Sequence, residues 1–234
     1  ATIAGTLRVV GTTTLQDVTT LGTLNVNNSA TVAGSLNVIG TTRLQDSTIA
    51  GSATIAGTLR VVGTTTLQDL TTLGTLNVNN SATVAGSLNV MGTTVLQDST
   101  IDGSATIAGT LRVVGTTTLQ DVTTLGTLNV NNSATVAGSL NVIGTTRLQD
   151  STIDGSATIA GTLRVVGTTT LQDLTTLGTL NVNNSATVSG SLNVMGTTVL
   201  QDSTIDGSAT IAGTLRVVGT TTLQDLTTLG TLNV

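Results

Sequence analysis

Ala1-Thr2-Ile3-Ala4-Gly5-Thr6-Leu7-Arg8-Val9-Val10-Gly11 returns, residue for residue, from Ala53, Ala105, Ala157 and Ala209. The period is 52 residues, so the 234-residue chain reads as a single array of repeats 1–52, 53–104, 105–156 and 157–208, followed by the half repeat 209–234. A 104-residue super-period is stricter still, since 1–104 and 105–208 differ only at Ala50 against Asp154 and Ala85 against Ser189. A fixed period of this kind marks a repeat architecture in which every unit has the same job.

A finer rhythm lies inside the 52. Gly, Asn and Asp divide it into nine segments, seven of six residues and two of five. Each segment carries one large aliphatic: Ile3, Val9, Leu15, Leu21, Val26, Val32, Val38, Leu44 and Ile49. Two positions earlier stands Leu, Ala, Thr or Ser. Residues two apart on a strand point the same way, so each aliphatic and its partner are expected to face inward, with Thr, Ser, Asn and Arg between them facing out. Gly, Asn and Asp are expected to supply the unusual backbone angles of a corner. Nine segments make three turns of three sides. The expected fold class is all-β: a triangular β-helix, or β-solenoid, of about 17 residues per turn, its coils stacked about 4.8 Å apart. Helix is disfavoured by the abundance of Thr, Val and Gly. Stability in such an array accumulates between neighbouring coils, with Asn27-Asn28 and the Thr rows as candidates for side-chain ladders.

Composition agrees. The chain has no aromatic residue, His, Cys, Pro, Lys or Glu, so an ordinary globular core built around aromatic rings is excluded. With 38% hydrophobic and 8% charged residues, disorder is excluded as well. Seven Arg and twelve Asp give a net charge of −5. That acidity, with no aromatic side chains on which bases could stack, argues against nucleic-acid binding. No apolar run approaches the length of a membrane-spanning helix, so membrane insertion is not expected. The start at Ala1 inside a repeat and the stop at Val234 suggest a window cut from a longer protein.

Chemistry is hard to place on this chain. With no His or Lys to activate the many hydroxyls, neither a catalytic residue nor a cofactor site is expected, and the chain reads as a non-enzyme. Asp17, Asp46, Asp69 and Asp98 fall at corners, where Asp is an ordinary turn residue. Asp98 with Asp102, Asp150 with Asp154 and Asp202 with Asp206 are four apart; a Ca²⁺ site would need six or more oxygens, and no metal site is expected. Arg8, Arg43, Arg60, Arg112, Arg147, Arg164 and Arg216 are expected on one outward face with Asn25 and its copies between them. They read as a solvated column that deters edge pairing or, more sharply, as a contact stripe. Thr12 and Thr14 should face out with Ser29 and Thr31 stacked nearby, the layout of an ice-binding solenoid as well as of an ordinary exposed strand. Asn27-Asn28-Ser29 is a formal glycosylation sequon.

Ser35-Leu36-Asn37-Val38-Ile39-Gly40-Thr41-Thr42-Arg43-Leu44-Gln45-Asp46 and Gly11-Thr12-Thr13-Thr14-Leu15 resemble the repetitive shafts of viral fibres, tailed-phage tail fibres above all. The resemblance implies a homotrimer of three chains wound into one triangular β-helix, on a virion or otherwise extracellular. It implies a rigid spacer that carries a receptor-binding tip. The same motif also resembles single-chain hexapeptide-like solenoids and bactofilin-like filaments, although Leu7, Leu24 and Leu36 stand where hexapeptide families place small residues. Self-association, as a homotrimer or an end-to-end filament, is the expected partnership. Two further functions stay open: a single-chain solenoid that polymerises into a surface filament, and an ice- or surface-binding solenoid that uses its Thr rows.

Overall fold

In the computed structural model, which describes residues 1–234, the chain forms two compact units, Ala1–Thr116 and Thr117–Val234. Each is a parallel β-solenoid of about 17 residues per turn with no helix. In the first unit, strands Leu7–Val9, Thr13–Leu15 and Val18–Thr20 form the three sides of one turn. The next turn lays Leu24–Val32 over the first two sides and Leu36–Val38 over the third. Partners lie one turn apart, 17 or 18 residues along the same chain: Leu7 meets Leu24, Leu24 meets Thr42, and Thr42 meets Leu59. Those three steps add up to one repeat, which is why the sequence returns to phase every 52 residues. The second unit keeps the same register, with Leu128 on Thr146, Thr146 on Leu163 and Leu163 on Leu180.

Alternation along each short strand puts two residues inside and one outside. Leu24, Val26, Leu36, Val38, Leu44 and Ile49 are at most 2% exposed, while Thr31, Asn37, Arg43 and Thr48 between such pairs are exposed. The outward residues line up in columns that give each side its character. On the arginine side of the first unit the column runs Arg8, Asn25, Arg43, Arg60, Asn77, Val95, Arg112. On the threonine side it runs Thr14, Thr31, Thr48, Thr66, Thr83, Thr100 without a break. The third side alternates Thr19, Asn37, Thr54, Thr71, Asn89, Thr106.

Two sequence expectations are corrected. Leu21 is 49% exposed and Thr20 is fully buried, the reverse of the expected orientation. The corner glycines decide it. Thr20 pairs with Ile3 below and Val38 above, and each of these inward residues stands two positions before a corner glycine, Gly5, Gly22 or Gly40. Stacking Gly on Gly therefore carries Thr20 inward and Leu21 out. The corners also turn without unusual backbone angles, because no residue, glycine included, has positive φ. Glycine is needed there for close approach. A Cβ on Gly40 would stand 2.5 Å from the carbonyl oxygen of Gly22 and 2.8 Å from its carbon.

The interior is not wholly apolar. Ser47 and Thr65 share a buried hydroxyl–hydroxyl hydrogen bond of 2.6 Å, repeated at 2.7 Å by Ser151 and Thr169. The hydroxyls of Thr20, Thr42, Thr72 and Thr94 are buried beside the glycine corner with no partner.

Candidate functional site

Two of the three corners vary in length from coil to coil, and the variation is built around aspartate. Between the inward residues Val32 and Leu36 stand three corner residues, Ala33-Gly34-Ser35, but between Leu15 and Val18 only Gln16 and Asp17. The short corner lies beneath the long one. It is one backbone carbonyl poorer, and the Asp17 carboxylate takes that place, accepting the Ser35 amide at 2.8 Å beside the Gly34 amide donated to Gln16 O at 2.6 Å. Asp46 does the same for Thr64 at 2.8 Å and also accepts its hydroxyl at 3.2 Å. The bond recurs at Asp69, Asp98, Asp121, Asp150, Asp173 and Asp202, always at 2.7–2.8 Å. Gly34 is glycine because a Cβ would collide with this carboxylate. The corner aspartates are thus structural acceptors. Asp46→Ala should cost about 1–3 kcal/mol by orphaning the Thr64 amide, while Asp46→Asn, which keeps an oxygen, should cost less than about 1. The urea midpoint followed by far-ultraviolet circular dichroism checks both.

The acidic pairs singled out in the sequence are not brought together. Asp98 and Asp102 sit at opposite ends of the threonine side within strand Thr94–Ile107, four extended residues and so about 13 Å apart. Asp98 is occupied by Thr116, and no group of three or more acidic side chains gathers anywhere in the chain. Asn27 and Asn28 are exposed at the corner between the arginine and threonine sides. They form no asparagine ladder, because the motif recurs only every third coil. Asn28 instead donates to the Thr12 hydroxyl one coil back, at 3.3 Å.

Within each unit the arginines do share one column, as expected. Arg8, Asn25 and Arg43 line a shallow groove of about 420 Å³ that is open to solvent. Arg43 stacks on Arg60, and exposure lets the two like charges splay apart in water. The expected mixing of Ser into the Thr rows is confined to one column. Thr12 and Ser29, joined by a 3.3 Å hydroxyl bond, belong to the corner, where Asp46 follows Ser29; the mid-strand column is Thr throughout.

Sequence reasoning missed the role of the short corners and the outward turn of Leu21. The signal for the first was the count of residues between successive inward aliphatics, two before Val18 and three before Leu36.

The fold and its surfaces define a repetitive parallel β-solenoid whose regularity lies in its backbone. No family model, curated protein or solved structure matches the chain.

Proposed function

We propose that the chain is a structural spacer, a stiff shaft segment on the outside of a virus particle or cell that holds another part of the molecule at a distance. The observation that supports this most is the parallel pairing of coil on coil through each unit, with the charged side chains kept at the corners and on the solvent side. Bending such a stack means breaking backbone hydrogen bonds around a closed coil. A single-chain coil advances about 4.8 Å per 17 residues, roughly 0.28 Å per residue, whereas three intertwined chains would advance about three times as far. Electron microscopy of the purified chain, with mass by light scattering, tests the reading. Straight particles with the short rise are expected; flexible or collapsed particles would overturn the spacer, and the long rise with trimeric mass would replace the single-chain coil by the intertwined fibre.

A second reading draws on the pure Thr column. Hydroxyls and methyls repeating at the coil spacing along one flat side support binding to an ordered water or mineral surface. Faceted ice crystals at micromolar protein would favour it, and unaltered ice growth would remove it.

A further inference from the structure

Most of the large apolar side chains that the solenoid leaves outside gather on one corner, the one between the third side and the arginine side; Val10 and Val218 are exposed on the corner between the arginine and threonine sides. In the first unit Leu21, Ile39, Leu73 and Met91 are 49%, 60%, 55% and 63% exposed, and each directly precedes a stacked corner glycine. The coils between them carry Ala4, Ala56 and Ala108 at the same place, so no polar residue interrupts the ridge. The second unit repeats it with Leu125, Ile143, Leu177, Met195 and Leu229. Neither other corner has such a ridge: one mixes Val with Asn and Gln, the other Ala with Gln and Asp. A continuous exposed apolar strip is unusual on a soluble surface and marks an interaction site.

Three features name the occupant. In each unit the ridge offers one apolar residue per coil at the coil spacing, so whatever covers it must repeat at that spacing, and the same ridge on a second copy of this chain does so. In each unit the four or five half-exposed side chains, at about 100 Å² each, offer roughly 400–500 Å² per partner, so two such ridges together come to about the 1,000 Å² of a specific interface. The flanks then set the direction. Arginine columns lie on one side of the ridge and the neutral Thr–Asn column on the other. Two copies joined ridge to ridge and pointing the same way place the arginine flank of each beside the neutral flank of the other. Pointing opposite ways, they would set arginine beside arginine. On the neutral flank a shallow groove of about 130 Å³, lined by Thr71, Leu73, Asn89, Met91 and Ala108, recurs as one of about 310 Å³ at Thr175, Leu177, Asn193, Met195 and Ala212. These grooves are placed to take the ridge side chains of the neighbour.

We propose that two copies of the chain associate side by side and in parallel through this glycine-corner ridge. The inference rests on the single-chain coil of the spacer reading. Sedimentation equilibrium of the full chain tests it first, with a mass of two chains expected. Replacing the nine ridge residues by Gln (Leu21→Gln, Ile39→Gln and so on) should weaken association about 100-fold or more while the β-type circular dichroism is unchanged. A monomer at the highest concentration, or a two-chain mass that persists in a folded variant, overturns the ridge contact. Single-cysteine chains fix the direction without a heavily substituted protein. Leu21→Cys should crosslink to itself under mild oxidation, whereas preferred crosslinking of Leu21→Cys to Leu229→Cys would overturn the parallel arrangement. A monomer whose rise is still about 0.28 Å per residue would remove the ridge contact alone; the longer rise would remove the coil beneath both readings.

Discussion

Gly57→Ala lowers the stability of the first unit by about 2–3 kcal/mol, and Gly5→Ala, in the same Ala-Gly-Thr corner, leaves it unchanged or slightly raises it. The two glycines have the same neighbours in sequence and neither has positive φ. They differ only in what lies beneath. A Cβ on Gly57 meets Gly40 O at 2.6 Å, Gly40 C at 2.8 Å and Thr41 N at 3.2 Å, all backbone atoms with no rotamer to yield. Gly5 is in the first coil and has nothing within 4 Å. Accommodating the new methyl at position 57 therefore means prising two coils apart and stretching bonds such as Ala56 N to Val38 O, now 2.8 Å. At position 5 only the unfolded chain is affected, losing some of its freedom. Urea unfolding of both variants separates the cases, and equal losses at the two positions would show that backbone angle, not stacking, is what glycine supplies.

Replacing Thr20, Thr42, Thr72 and Thr94 by Val raises stability by about 1 kcal/mol each, close to 4 together. Each hydroxyl is fully buried without a hydrogen-bond partner, so each forgoes water and receives nothing in return. Val keeps the shape and removes the unmet group. Thr42 stands between Leu24 and Leu59 in the stack, where a second methyl has apolar neighbours above and below. The contrast is Ser47→Ala, which should destabilise by about 1–3 kcal/mol because it strands the Thr65 hydroxyl that Ser47 now satisfies. Thermal unfolding of the quadruple and single variants reads both effects. A quadruple variant less stable than the parent would mean that these hydroxyls have partners after all, such as enclosed water.

The coil itself was legible in the sequence because its two signals are local: alternation within a segment, and a corner residue after it. The 17-residue turn, the shared arginine column and the outward Thr rows follow from those alone. Leu21 was misjudged because local hydrophobicity ranked it above Thr20, while the contact that decides its direction, Gly22 over Gly5, joins residues a full turn apart. The meaning of Asp17 was hidden for the same reason. Its carboxylate serves the amide of Ser35, and a turn residue and an acceptor for the next coil look alike in a linear reading. The apolar ridge became visible only once Leu21, Ile39, Leu73 and Met91, scattered through different segments, were seen to share a corner.

The short aspartate corners also bear on how such a chain tolerates errors of length. Slipping a strand by one residue normally turns its buried face to water, so loss of a single codon from a coiled array should be ruinous. Here the corner absorbs it. Two residues or three can join the same pair of sides without altering which side chains face inward, provided that the shorter version carries a carboxylate to receive the amide left waiting above. Deletions of one codon at corners, repaired by a single change to aspartate, are thus open to this molecule during duplication and divergence, and its mixture of five- and six-residue segments is what such a history would leave behind.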